Sequence, residues 1–212
     1  MKFFNTQVFN FEGALRGMRN PMNSWDKSDS EWRNSEFYIG KNDLKLAQSL
    51  ISAGSDHSKF MRQIFVSVDI TAPIYWWKEF DTYKVGTVAN STSTMHKLAT
   101  TPITPDCFEF DSVTEMYATT NMRVGEAICK LLESYREEYL RTKDKRVWRA
   151  LIQLLPSSWL QTRTITMSYQ NVRAMCFARE NHKLSEWSID FFELAKSLPY
   201  YKELIVWRGS AE

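Results

Sequence analysis

Glycine and proline are scarce in this chain of 212 residues, which holds only 7 and 6 of them. Glycines so few and scattered build neither a Gly-rich dinucleotide fingerprint nor a Walker phosphate loop, so the common nucleotide-binding loops are excluded. The cysteines, Cys107, Cys129 and Cys176, are odd in number, far apart and without metal-ligand spacing. They are expected as buried or idle thiols in a reducing compartment. His57, His96 and His182 also lack metal spacing, so no metal site is expected. No nucleophilic-serine elbow is present. No apolar run approaches the ~18 residues of a membrane span, and the start "MKFFNTQVFNFEG" has no signal-peptide core. The expectation is a cytoplasmic protein with no membrane partner. The formal net charge is only +2, and one basic aromatic group (Arg16, Arg19, Lys27 and Trp25) is all that hints at nucleic acid. Nucleic acid is therefore not expected as a partner.

What is abundant is apolar and aromatic: 43% hydrophobic residues, 14% aromatic, eight tryptophans. Such a chain buries a sizeable core. No Pro/Gly-rich linker divides it, so residues 1–212 are expected to form a single domain.

"KFFNTQVFNF" alternates like a strand near residues 2–9, and "EGALRGMRNP" reads as a short helix ending before Pro21. Residues 20–36 are polar and turn-rich and are expected as a loop that carries Trp25 and Trp32. "NDLKLAQSLISAG" predicts a helix capped by Asn42 and ended by Gly54. "QIFVSVDIT" predicts a strand with Ile64, Val66, Val68 and Ile70 on one face, and Pro73 opens the next helix. Residues 98–112 read as loop. From Asn121 to Arg141 apolar residues recur at helical spacing, and "RTKDKR" follows as a solvated turn. "VWRALIQLLP" is helical up to Pro156. "TRTITMSYQNVRAMCFARE" begins as strand and becomes helix, and "SEWSIDFFELAKSL" is a helix with Ser185 as its cap. Helices outnumber strands, and the class is α/β or α+β, with a small mixed or antiparallel sheet and long helices.

"FDTYKVGTVANSTSTMHK", Phe80 to Lys97, follows the aromatic "TAPIYWWKEF" and is dominated by hydroxyls and amides. Two readings stand. Ser, Thr and Asn satisfy their own backbone in turns. Alternatively Lys84, Thr87, Asn90, Ser91, Thr92 and Ser93 converge on a phosphate, which needs several donors within hydrogen-bond distance. Trp76 and Trp77 are expected in the core, with an aromatic wall for a flat ring as the alternative.

Three blocks in order resemble the flavin-dependent thymidylate synthases, the ThyX family. "DLKLAQSLISAGSDHSKFMR" is similar to its helix and Gly-(His)-(Glu/Ser)-Ser-x-x-Phe-Glu-His segment. "VSVDITAPIYWWKEFDTYKVGTVANSTSTMHKL" is similar to its strand, Ala-Pro helix start and Arg-His-Arg-x-x-Ser-x-Asn-Glu-x-Ser-x-Arg-Tyr signature. "LLPSSWLQTRTITMSYQNVRAMCFARENHKLSEWSIDFFELA" is similar to the closing block with its Gln-Trp-Glu-Ile helix. The resemblance implies an α/β fold assembled as a homotetramer, with FAD and dUMP held between subunits. It implies methylation of dUMP to dTMP, or of a related pyrimidine deoxynucleotide, with methylenetetrahydrofolate giving the carbon and FAD, reduced by NADPH, the hydride.

Ungapped from Ala72-Pro73, the signature sets Thr82, Tyr83 and Lys84 against Arg-His-Arg, Thr87 against the first Ser, Thr92 against the second and Thr94 against the Arg. Arg179 keeps the family's spacing after Leu-Pro. The resemblance thus implies Arg179 and Thr92 as catalytic residues, and Glu79, Lys84, Asn90, Ser91, Thr92, Ser93, Arg149 and Arg179 around the nucleotide. Around FAD it implies Arg62, Thr82, Lys84, Thr87, Gln170, Asn171 and Arg173. Ser168 and Gln170 replace the family's Asn and Arg in one register, while Asn171 and Arg173 serve in a shifted one. Losing guanidiniums removes bidentate phosphate grips, so loose FAD and slow or absent dTMP formation are expected. The alternative is a non-catalytic nucleotide- or flavin-binding homologue that keeps the fold and the tetramer.

Overall fold

The computed structural model describes residues 1–113, 115–119 and 122–209. Its strands are β1 (Lys2–Phe9), β2 (Glu31–Arg33), β3 (Glu36–Tyr38), β4 (Phe65–Pro73), β5 (Val88–Ser91), β6 (Tyr117–Thr119), β7 (Met122–Arg123) and β8 (Leu160–Ser168). Its α-helices are α1 (Phe11–Arg19), α2 (Lys41–Ser52), α3 (Ile74–Phe80), α4 (Thr94–Lys97), α5 (Val124–Thr142), α6 (Lys145–Leu154), α7 (Tyr169–Arg179) and α8 (Phe192–Ser197). One sheet has the order β1-β4-β8-β5, and β2-β3 and β6-β7 form antiparallel pairs. The class is mixed α/β, with small sheets among more numerous helices.

The fold is organised as two compact units. One comprises Met1–Lys2, Ile70–Thr82 and Asn90–Arg163; the other comprises Phe3–Asp69, Tyr83–Ala89 and the chain from Thr164. The chain passes from one to the other within β4, β5 and β8.

In the first unit, Leu98, Ile103, Phe108, Phe110, Leu132 and Leu151 form a buried cluster between α5, α6 and the segment before them. Residues 98–112 are therefore irregular, as expected, but they carry core. Phe108 and Phe110 stack at 4.6 Å, and a β-bridge ties Phe108 to Trp159. Trp76, Trp77 and Phe80 on α3 are also buried and pack on each other, with Trp76 and Trp77 at 4.9 Å. Lys143 in the left-handed region ends α5, and Asp144 caps α6 by accepting the Arg146 amide. Asn121, where the sequence starts this helix, lies outside the described residues.

In the second unit, the strand and helix expected near residues 2–20 are β1 and α1. Ile64, Val66 and Val68 are buried as the alternation predicts, as is Ile70 in the first unit. Three local expectations are corrected. Residues 31–38 are not loop but a hairpin, β2-β3, whose turn residues Asn34 and Ser35 both take positive φ, 48° and 67°. Asn-Gly is the usual signal for such a turn, and Asn-Ser hides it. Asn42 does not cap α2: it lies inside the helix, and the Asp29 carboxylate instead accepts the Asn42 and Asp43 amides at 2.9 and 3.0 Å. A cap supplied from outside the helix leaves no local sequence signature. Ser185 makes no capping bond either. Its segment is already helical and begins as a π-turn, Glu186–Phe191, that runs into α8.

Cys129 and Cys176 are buried, and burial pushes the Cys176 thiol up to about 12. Among the described residues no helix is long and apolar enough to cross a membrane, and no cluster of His, Cys, Asp or Glu is arranged to hold a metal ion.

Candidate functional site

Helix α7 starts with a capping box. The Ser168 hydroxyl accepts the Asn171 amide at 3.2 Å, and the Asn171 side-chain oxygen accepts the Ser168 amide at 3.1 Å. Two orphan donors are thereby satisfied reciprocally. The same Asn171 turns its side-chain amide outward to donate to the Val85 carbonyl at 2.7 Å, pinning the loop 83–87 to the helix start. Gly86 completes the arrangement at φ +79°. A Cβ there would lie 3.1 Å from the Asn171 oxygen and would be strained in the backbone besides. Thr87 closes the loop on itself, its hydroxyl donating to the Tyr83 carbonyl at 2.9 Å and its amide to the Lys84 carbonyl at 3.3 Å. The loop thus presents Lys84 to solvent and holds the Tyr83 ring inward.

Arg179, in the last turn of α7, meets that ring. Its Nε donates to the Tyr83 hydroxyl at 3.0 Å. The guanidinium carbon lies 5.0 Å from the Trp187 ring centre and 5.6 Å from that of Tyr83. Trp187 is fully buried, and its ring sits 6.1 Å from Tyr83. The guanidinium is therefore half-buried in an aromatic corner, where cation–π attraction and the Tyr83 hydrogen bond contribute to its orientation. Local dielectric is low there, which strengthens its attraction for an anion. Gln170, one residue into α7, holds a buried side-chain oxygen with no hydrogen-bond partner among the described residues. Such an orphan acceptor calls for a donor.

The other residues singled out from sequence are arranged as follows. Lys84 and Thr87 lie on the loop 83–87 that Asn171 pins, and Arg179 meets Tyr83 of that loop. Arg62 ends a 3-10 turn, Lys59–Arg62, exposed and without an ion-pair partner among the described residues. Arg173 donates to the Ile205 carbonyl at 2.7 Å and stacks 4.5 Å from Phe177. Burial, and then the nearby Arg208 charge, lower its pKa from the ordinary arginine value.

In the first unit, the Thr82 hydroxyl donates to the Glu79 carbonyl at 2.7 Å. Ser93 caps α4, accepting the His96 amide, and its hydroxyl lies 2.7 Å from the His96 ring. The Thr92 backbone pairs with Thr162 and with the Gln161 side chain, both at 2.9 Å. Asn90, Ser91 and Thr92 are exposed and have no side-chain hydrogen bond among the described residues. Arg149 is exposed on α6. The run from Phe80 to Lys97 is thus a chain of short elements, a 3-10 turn, β5 and α4, rather than one loop.

Sequence reasoning misses two residues of the corner, Tyr83 and Trp187, and one ion pair elsewhere, that of Arg163. Tyr83 is visible only as the residue standing where the signature has His. Trp187 stands at the Trp of the Gln-Trp-Glu-Ile block. Arg163 has no signal: it pairs with Asp81 at 2.8 Å and covers Trp77 at 4.3 Å, contacts made by residues far apart in the chain.

No protein-family model matches this chain, and no curated protein matches it. Solved structures do. A crystal structure of flavin-dependent thymidylate synthase ThyX from Helicobacter pylori, complexed with FAD and dUMP, is similar at a TM-score of 0.70 and 15% identity, over 97% of this chain and 98% of that one. A second structure of the Helicobacter pylori enzyme with FAD and dUMP is similar at a TM-score of 0.68 and 14% identity, over 99% of this chain and 100% of that one. The chain has the ThyX fold, as its sequence resemblance implied, in a strongly divergent sequence.

Proposed function

We propose that the protein is a divergent flavin-dependent thymidylate synthase-like methyltransferase that acts on dUMP or a related pyrimidine deoxynucleotide. The observation that carries this reading is the fold likeness along nearly the whole chain to an enzyme complexed with FAD and dUMP. The Arg179 corner supports it. An oriented, half-buried guanidinium suits a nucleotide's phosphate, or the negative charge that develops on a pyrimidine carbonyl during attack at the ring. Thr92, Asn90, Ser91 and Ser93, with Glu79 and Arg149, are the further nucleotide-binding candidates.

A bound flavin supplies the hydride in this chemistry. The residues present fit such a group in part. Arg62 and Lys84 are exposed cations suited to its phosphates, and the orphan Gln170 oxygen suits one of its N–H donors. The Thr82 and Thr87 hydroxyls already donate to backbone carbonyls, so toward a phosphate they offer no proton. FAD held more loosely than by an arginine-rich signature follows, since charge-assisted bonds are roughly twice as strong as neutral ones. That same observation favours a second reading, a non-catalytic nucleotide- or flavin-binding homologue.

NADPH as reductant, methylenetetrahydrofolate as carbon donor, a homotetrameric assembly and a cytoplasmic location belong to the proposal. So does the folding of residues 1–212 as one domain, supported by strands that run unbroken from one compact unit to the other.

The test is spectroscopic and then catalytic. Purified protein should show a flavin absorption band at less than one FAD per chain. With added FAD, NADPH, methylenetetrahydrofolate and dUMP, it should form dTMP slowly. Flavin and dUMP binding without dTMP would establish the second reading, and no binding of either would remove both.

A further inference from the structure

The hairpin β2-β3, α1 and the segment Pro199–Tyr200 enclose a cleft of about 670 Å³ that the proposed chemistry leaves unused. All of these residues belong to the second compact unit. The walls are aromatic. Trp32 packs edge-on against Phe37 at 5.3 Å, and Phe11 against Tyr200 at 5.6 Å. Trp32 is 58% exposed, yet its indole N–H donates to Glu12 at 3.0 Å. The ring is thereby anchored at its edge while more than half of the residue stays exposed, a surface on which a flat ring can stack.

Three charged groups line the cleft: Glu12, Glu36 and Arg16. Glu12 receives the Trp32 indole through Oε2, and Glu36 receives the Tyr38 hydroxyl through Oε2 at 2.9 Å. Each carboxylate keeps its Oε1 for another donor. Arg16 is exposed and has no hydrogen bond or ion pair among the described residues. It also lines a smaller adjoining cleft of about 260 Å³ beside Trp25. Arg19, which the sequence groups with it, is not available there. It is buried, bonded to Asp43 at 2.5 Å.

We infer that this cleft binds a guanine nucleotide. A flat ring stacks on Trp32 at a scale of ~1–3 kcal/mol per base. The two open carboxylate oxygens can accept N–H donors, and the guanine edge offers adjacent N1–H and N2–H groups. The guanidinium of Arg16 can pair with the phosphate. Uracil fits poorly, because the carbonyls flanking its single N–H face the carboxylates. A polynucleotide fits poorly too, because the carboxylates outnumber the arginine.

The experiment is a titration of the purified protein with GMP, read by tryptophan fluorescence and by calorimetry, with AMP, dUMP and folic acid as comparisons. GMP should bind more tightly than AMP, and saturating dUMP should leave it in place. Arg16→Ala and Glu36→Gln, both on exposed side chains, should each weaken GMP by about tenfold or more, the effect of a lost charge-assisted hydrogen bond. Arg179→Ala should leave GMP unchanged, which separates this cleft from the dUMP reading. No GMP binding, displacement by dUMP, unchanged affinity in both cleft variants, or preference for folic acid would each overturn the inference.

Discussion

Two arginines of the second unit, Arg19 and Arg179, show what this fold does with a guanidinium it encloses. Around Arg19 every partner is protein. Its Nε meets Asp43 at 2.5 Å, and its terminal nitrogens meet the carbonyls of Ser24 and Lys27. Asp43 is itself fully buried and also receives Ser28, the Asp29 amide and Ser30. Arg179 meets the Tyr83 hydroxyl and the faces of Tyr83 and Trp187, and its side chain stays partly exposed. A saturated charge cluster holds a loop against a helix and leaves no capacity for a ligand. A guanidinium set against rings at a partly exposed position remains open to solvent. The difference is one of burial: Arg19 is closed off from solvent and Arg179 is not.

The comparison breaks most visibly at Asp43. Asp43→Ala leaves Arg19 buried without its charge partner, and should cost about 3–5 kcal/mol of stability, the scale for splitting a buried pair. Urea denaturation measures it, and a loss below about 1 kcal/mol would show the cluster to be solvated. The pH dependence sharpens the point. Burial pushes the Asp43 carboxyl up, but hydrogen bonds from Ser30, Ser28 and Arg19, with the Arg19 charge, outweigh it and hold its pKa below the ordinary value. The folded pKa thus lies below the unfolded one of about 3.9. The stabilisation is complete above that pH and lost as pH falls through the folded pKa. The gap between the native protein and Asp43→Asn should narrow below about pH 4.

Arg179→Ala is the opposite case. It should weaken dUMP by about 1.5–3 kcal/mol in calorimetry, the scale of a hydrogen bond to a charged group. Its unfolding midpoint should move far less than that of Asp43→Ala. Equal losses of stability in the two variants would erase the distinction between them.

Ser168→Ala removes the hydroxyl of the capping box and loosens Asn171, which holds the loop before Arg179. About 1 kcal/mol of stability should be lost, with a smaller loss of nucleotide affinity. An affinity loss larger than the stability loss would place Ser168 itself against the ligand.

Tyr83→Phe is the finest probe. It deletes the acceptor for Arg179 Nε and keeps the ring. Nucleotide affinity should fall by only about 0.5–1.5 kcal/mol. No change at all would mean that the Tyr83 hydroxyl does not orient the guanidinium.

Much of the framework is legible in the local sequence. The alternation of Ile64, Val66, Val68 and Ile70, the stop at Gly54 and the burial of Trp76 and Trp77 all follow from period and polarity, which neighbouring residues carry. The β2-β3 hairpin is not legible, because an Asn-Ser turn looks like any polar loop until φ is known. Nor is the start of α2, whose capping carboxylate, Asp29, comes from outside the helix.

The sequence by itself determined the fold class, the principal helices and core strands, and the resemblance to flavin-dependent thymidylate synthases, including Arg179 at its expected spacing. These depend on short-range periodicity and on residue types in sequence order. Only the tertiary structure decided which polar groups keep their capacity to bind. Thr82 and Thr87 look like phosphate donors in sequence, yet each donates to a carbonyl a few residues away. Arg16 and Arg19 look alike, yet one is exposed and the other is held by Asp43. A donor's availability is set by the nearest acceptor in space, and the chain folds that acceptor into place from any distance along the sequence.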